Sequence, residues 1–139
     1  MERLKERLSS AGRALETLKE LSGIEKVTVI ERDVAIQRFE YTFEAVWKAG
    51  RLYLKEIEGL DIGSPKAVIR ACMKTGVFKE EQTALALDMV DDRNQTSHAY
   101  NENLAEKIYG RLENYVSVCE HWLKRIEEKI KEANVITKL

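Results

Sequence analysis

The chain has 139 residues, with 23 lysines and arginines against 24 aspartates and glutamates and a formal net charge of -1. That length fits a single domain over residues 1–139, long enough to bury most of the surface its unfolded form would expose. The near-neutral balance excludes a protein that coats a polyanion through a global field, so any nucleic-acid contact must come from a local patch. Charged residues make up 34% of the chain, against an average of about 25%, a level shared by hot-habitat proteins with ion-pair networks and by ordinary exposed helices. Cys72 and Cys119 are isolated, with no CxxC pair or His/Cys cluster, so buried thiols in a reducing cytosol are expected rather than a disulfide framework or a zinc site. No cofactor or metal is expected. No apolar run approaches the roughly 18 residues of a membrane span, and "MERLKERLSS" is amphipathic and charged, unlike a signal peptide. The chain is therefore expected to be soluble and cytoplasmic.

Taken in chain order, the apolar residues recur at three- and four-residue steps, the pattern of helices with one buried stripe. Leu4, Leu8, Ala11, Leu15 and Leu18 mark a first helix that stops near Gly23. A long second helix carries Ile36, Phe39, Phe43, Val46, Gly50, Tyr53 and Ile57, and the small Gly50 in that row either admits a close neighbour or is a tolerated defect. "KVTVI" at 26–30 is rich in β-branched residues but has no strand to pair with, so it is assigned to the frayed start of this helix. "GLDIGSPKAV" is sharp punctuation: Ser64 as N-cap and Pro65 at the first helical position predict a short third helix to about Lys74, closed by Gly76. A fourth helix follows on Ala84, Leu85 and Met89. The last runs through Ala105, Ile108, Leu112, Tyr115, Cys119, Trp122, Ile126 and Ile130, with Asn103 and Glu106 as its expected capping box. The pattern predicts an all-α, up-and-down bundle of four to five helices.

Between the fourth and last helices lies "RNQTSHAYN". On one unbroken helix Arg93 and Tyr100 would lie about 20° apart, with His98 roughly 140° from Arg93, at about 100° per residue. A straight helix cannot converge the three. Asn94, Gln95, Thr96 and Ser97 all lower helix propensity, so a break is expected there, one that lets His98 swing back toward Arg93.

The order arginine, four residues, histidine, one residue, tyrosine, at the entrance to the final helix of a bundle, resembles the HEPN superfamily (higher eukaryotes and prokaryotes nucleotide-binding). More closely it is similar to the nucleotidyltransferase substrate-binding proteins, small proteins encoded beside a minimal nucleotidyltransferase. The matching stretches are "RFEYTFEAVWK" (Arg38 to Lys48), "SPKAVIRACMKTG" (Ser64 to Gly76) and "MVDDRNQTSHAYNENLAEKIY" (Met89 to Tyr109), about half the chain and in the family's order. Arg-x4-His alone is weak; the extended junction after the other two stretches is much more specific. One departure is Ala99, where the family often has threonine.

The resemblance implies a four-helix bundle with a short extra helix, and two linked activities. Many HEPN proteins are metal-independent ribonuclease toxins that use the motif arginine and histidine, here Arg93 and His98. Cleaving RNA through its 2'-hydroxyl needs a group that moves protons near neutral pH and a fixed cation against developing phosphate charge, roles that suit His98 and Arg93. One such histidine per chain supplies one proton carrier, so a homodimer with a composite, two-fold site is predicted. Tyr100 matches the tyrosine that a partner nucleotidyltransferase modifies with AMP in related toxin–antitoxin pairs, which would put bulk and negative charge into the cleft and silence it. The competing class is a non-catalytic subunit that holds a nucleotide or substrate for the transferase. A purely structural helical adaptor would leave the junction without a reason.

Supporting groups follow from the same reading. Asn94 and Ser97 are polar neighbours within the junction. Glu40, Glu44 and Lys48, at i, i+4 and i+8, make ordinary exposed ion pairs, and in the family this helix borders the cleft, so either carboxylate could orient Arg93. Arg70, with Lys66 and Lys74, forms a basic stripe that either guides phosphate or is simply solvated. His121 is expected on the outer side of the last helix with no role, and Trp47 and Trp122 as packing. The chain is not itself a nucleotidyltransferase: "GSPK" has the Gly-Ser dipeptide, but Asp88, Asp91 and Asp92 do not give the strand-borne Asp-x-Asp needed for two metal ions.

Overall fold

A computed structural model describes residues 1–138, with side chains through Ile136. Five helices follow in order: α1 (Glu2–Lys19), α2 (Val29–Ile57), α3 (Pro65–Lys74), α4 (Glu80–Gln95) and α5 (Glu102–Lys138), with a 3-10 turn, Thr96–His98, between α4 and α5. No strand occurs among the described residues. The all-α bundle expected from the apolar periodicity is what the chain forms.

The helix ends show where local chemistry decides. "KVTVI" is divided rather than frayed. Thr28 caps α2, its hydroxyl accepting from the Glu31 amide at 3.1 Å while the Glu31 carboxylate accepts from the Thr28 amide at 3.0 Å. This reciprocal box satisfies two donors at the helix start and leaves Lys26 and Val27 outside it. At α5 the expected cap at Asn103 is displaced by two residues. Asn101 accepts from the Leu104 amide at 3.2 Å, and Asn103 already lies in the first turn. The cap falls on the residue whose backbone leaves the preceding turn, which spacing alone does not reveal. Pro65 opens α3 as expected, but Ser64 makes no side-chain cap bond. Gly76, at φ 84°, ends α3 in the left-handed region, and the Val77 amide closes onto the Cys72 carbonyl at 2.8 Å.

The core is one continuous apolar cluster in which α2 packs most extensively, against α1 on one side and α5 on the other. Chain direction alternates. Arg38 of α2 reaches the Thr17 carbonyl near the end of α1, at 2.7 Å, whereas Arg3 at the start of α1 shares a groove with Lys55 near the end of α2. Met89 and Asp92 of α4 meet Cys119 and Arg111 of α5 in reverse order. The long helices α2 and α5 consequently run parallel, with Arg32 beside Glu102 at one end and Glu58 beside Lys129 at the other. Midway, the Trp122 indole lies over Gly50: a Cβ on Gly50 would come within 2.6 Å of its ring. Glycine is what lets α2 and α5 approach here, as its place in the stripe suggested.

His121 is not on an outer face. Its Nε2 lies 2.8 Å from the Val77 carbonyl and its ring stacks on Phe78, so it pins the turn after α3. No described helix is long and apolar enough to cross a membrane.

Candidate functional site

The break between α4 and α5 is where the low-propensity run places it. α4 closes at Gln95, and bonds from the Ala99 amide to the Thr96 carbonyl (3.1 Å) and from the Asn101 amide to the His98 carbonyl (3.0 Å) tighten the backbone before α5 begins. Thr96 is the hub. Buried in the turn, its hydroxyl accepts from Arg93 Nη1 at 3.0 Å and stands 3.1 Å from Glu40 Oε2 and 2.7 Å from the Arg93 carbonyl, either of which can take its one proton. The Arg32 guanidinium fastens the far side, bonding Glu102 at 2.8 Å and Asp33 at 3.0 Å. The bond to Arg32 is the main reason that the Glu102 carboxyl is held below the usual carboxylate range.

Arg93 faces α2. Its Nη1 is 3.5 Å from Glu40 Oε2 and its Nε is 3.9 Å from Glu44 Oε1; Nε is buried and makes no hydrogen bond. Glu44 is shared, accepting from Trp47 Nε1 at 3.2 Å and pairing with Lys48 at 3.8 Å. Glu40, Glu44, Lys48 and Arg93 thus form one chain of charges along α2.

His98 and Tyr100 lie on the other side of the turn. Both are exposed, Tyr100 at 82%, and their rings meet edge to face with centroids 6.1 Å apart. Tyr100 also lines a shallow groove of about 260 Å³ with Asp33, Gln37, Glu40 and Thr96, to which neither Arg93 nor His98 contributes. Within one chain, then, Arg93 bonds toward the α2 carboxylates and His98 meets Tyr100. Among the described residues no hydrogen bond, ion pair or ring contact joins Arg93 to His98, so the expected return of His98 to Arg93 is not seen, and the two sides meet only in the groove that Tyr100 shares with Glu40 and Thr96. Asn94 and Ser97 are exposed, and Ser97 Oγ lies 3.5 Å from the Asn94 carbonyl. Arg70 is exposed on α3 without a polar partner among the described residues, while Lys66 of the same stripe is neutralised by Asp91 at 2.7 Å.

Directly beside Arg93, Asp92 points the opposite way, into the bundle. It is buried and accepts from Arg111 Nη1 at 2.9 Å and from the Tyr115 hydroxyl. Burial, then the bond to Asp92, pushes the Tyr115 phenol well above its ordinary value; the bond to Asp92 likewise raises Arg111. Sequence reading missed Thr96, Arg32 and this Asp92 cluster. Arg32 and Glu102 are 70 positions apart, so no spacing could have joined them; Thr96 carried one local signal, a polar residue within the expected break.

Among the described residues no group of His, Cys, Asp and Glu side chains is arranged to hold a metal ion.

An all-α bundle with an arginine–histidine–tyrosine junction before its last helix defines the class. The chain belongs to the family described as nucleotidyltransferase substrate binding protein like, whose model matches residues 6–128. A protein of known structure from Thermus thermophilus is 53% identical, with a TM-score of 0.82 over 84% of this chain and 98% of that one. A Haemophilus influenzae protein, described as revealing the fold of a substrate binding domain of a nucleotidyltransferase, shares the fold at 19% identity and a TM-score of 0.64, over 91% of this chain and 98% of that one. Among curated proteins, an 89-residue stretch is 36% identical to the bifunctional purine biosynthesis protein PurH of a Ruegeria species, covering 60% of this chain. The corresponding match in Ruegeria pomeroyi is 35% identical. The chain spans only 17% of the length of these relatives.

Proposed function

We propose that this chain is the acceptor and substrate-binding partner of a separately encoded minimal nucleotidyltransferase, and that the Arg93–Tyr100 junction is the surface it presents. The observation that carries the reading is the state of Tyr100. Four of the five tyrosines have their hydroxyls engaged: Tyr41 with Thr17, Tyr53 with Glu58 and Thr75, Tyr109 with the Leu21 carbonyl and Tyr115 with Asp92. Tyr100 alone is 82% exposed, on an irregular turn, with no hydrogen-bond partner among the described residues. Its hydroxyl is therefore the one tyrosine hydroxyl free to reach a second protein's active site.

In this reading the Tyr100 Oη attacks the α-phosphorus of a nucleoside triphosphate, the bond to pyrophosphate breaks, and the phenolic proton passes to a base on the transferase. Base and Mg²⁺ come from that partner, because a neutral phenol is a weak nucleophile. Co-expression with the partner, followed by peptide mass spectrometry, is expected to find AMP on Tyr100 and none on Tyr41; an unmodified Tyr100 sinks the reading.

A second reading, a metal-independent ribonuclease silenced by that modification, is favoured by one contact. The exposed His98 imidazole abuts the Tyr100 ring, so a nucleotide attached to Tyr100 would fall across His98. Cleavage proceeds by attack of the 2'-hydroxyl on the adjacent phosphorus with loss of the 5'-oxygen; one histidine takes the first proton and a second supplies the other. With a single junction histidine per chain, the second comes from another copy in a homodimer. RNA cleavage in EDTA that His98→Ala abolishes supports this reading. Cleavage unchanged in that variant removes it and leaves a non-catalytic binding subunit, for which the pairing of Arg93 with two carboxylates also speaks.

A further inference from the structure

The geometry points to a second functional surface, away from the junction turn: a track for the phosphodiester backbone of single-stranded RNA in the groove between α1 and α2. Arg3 and Arg7 from α1 face Lys48, Arg51 and Lys55 from α2 across a groove of about 390 Å³. Two carboxylates, Glu56 and Asp61, also line it, leaving five cations against two anions in a chain whose net charge is -1. Arg3, Arg7, Arg51 and Lys55 are exposed and make no ion pair or hydrogen bond among the described residues; Lys48 has only the 3.8 Å contact with Glu44. Cations within a Debye length of about 10 Å reinforce one another, so four unneutralised ones gathered here create a local field that the overall composition hides.

The extent of the row selects a polymer. Glu40, Glu44, Lys48, Arg51 and Lys55 fall within a sector of about 80° on α2 at roughly 100° per residue, so the cations continue the stripe that holds Arg93. From Glu44, which Arg93 approaches, to Lys55 the helix rises about 16 Å, and the cations Lys48 to Lys55 take up about 10 Å of it, at about 1.5 Å per residue. A mononucleotide bound at the junction cannot reach that far, whereas a strand leaving the junction runs along it. The lining argues against a protein partner: its one large apolar side chain, Leu52, is 8% exposed, and protein interfaces deplete lysine and need an apolar centre. No aromatic side chain lines the groove, so it grips backbone and does not stack bases.

The track extends the ribonuclease reading, and its test is separable from it. Binding of labelled oligouridylate of about 20 nucleotides is followed by anisotropy in the His98→Ala background, so that cleavage does not intrude. The Arg7→Gln/Arg51→Gln/Lys55→Gln variant is expected to bind on the order of tenfold more weakly, and the slope of log K against log salt should fall by about 2, at about 0.7 per lost phosphate contact on a single strand. Arg7→Lys/Arg51→Lys, which keeps the charges, should retain the slope. Unchanged affinity and slope in the triple glutamine variant overturn the track, as does pyrophosphate competing fully while longer oligonucleotides bind no tighter than a dinucleotide. Loss of the nucleotidyltransferase partner from the triple variant with oligonucleotide binding intact overturns it in favour of a protein-docking face. RNA binding without any cleavage by the wild-type chain sinks the ribonuclease and leaves the track standing.

Discussion

Asp92 and Arg93 are neighbours in sequence and opposites in structure. Asp92 turns inward, where Arg111 and the Tyr115 hydroxyl satisfy its carboxylate in a buried setting. Arg93 turns toward α2, where Glu40 and Glu44 approach only to 3.5 and 3.9 Å, its Nε bonds nothing, and the nearby Tyr100 and His98 lie open. Both regions hold an arginine, carboxylate and tyrosine. In the inner set both Asp92 oxygens and the Tyr115 hydroxyl are bonded, which stabilises one arrangement; in the outer set Arg93 Nε bonds nothing and Tyr100 lies open, so the set contributes little to stability.

The largest expected effect separates the two tyrosines. Tyr100→Phe should abolish nucleotide attachment at the junction while changing stability by less than about 0.5 kcal/mol, as surface substitutions do. Tyr115→Phe should leave attachment intact and cost about 1 kcal/mol, the worth of a buried hydrogen bond; mass spectrometry and urea melts on both variants test the contrast. Next comes His98→Ala, expected to reduce RNA cleavage by about 10² to 10⁴-fold, the usual range for losing a positioned proton carrier, with the melt unchanged.

Asp92→Ala should destabilise by about 2–3 kcal/mol, because the buried Tyr115 hydroxyl loses its acceptor; Arg111 is half exposed, so its share is small. A melt matching the native chain would show that the inner cluster is no lock. Alkaline titration probes the same interior. Burial pushes the Cys119 thiol up to about 12 and, with a contribution from Trp122 in the other direction, the Cys72 thiol to about 12; burial and Asp92 raise the Tyr115 phenol. In the unfolded chain thiols and phenols ionise near pH ~9 and ~10, so above those values the unfolded state sheds protons that the fold retains. This stabilisation is fully present below about pH 8.5 and is lost as pH climbs toward 12, so urea melts should show falling stability from pH ~9 upward. The smallest effect is Glu40→Gln, expected to cost about 0–1 kcal/mol as a partly exposed ion pair, and read best as a rise in oligonucleotide affinity once Arg93 is released.

Much of the fold was legible because it is written in local terms. The apolar stripes gave five helices, Pro65 and Gly76 gave the limits of α3, and the run from Asn94 to Ser97 gave the break. The family was legible through three stretches in order, and the match over residues 6–128 confirms it. One cap was missed and one misplaced for a shared reason: Thr28 and Asn101 cap where the backbone enters the helix, and a composition rule sees candidates without seeing dihedrals. His121 was misread because the turn that covers it comes from 44 positions away.

The sequence alone determined which segments are helical, where the last helix is interrupted and which residue types gather at the interruption, since each depends on neighbours within a few positions. Tertiary structure decided which way those residues face. Only packing α4 against α2 on one side and α5 on the other sends Arg93 to Glu40 and Asp92 to Tyr115. Only the antiparallel contact of α1 with α2 brings Arg3 and Arg7 opposite Lys48, Arg51 and Lys55. Contacts between distant segments arise from burying stripes against one another, and no periodicity within a single stripe encodes its partner.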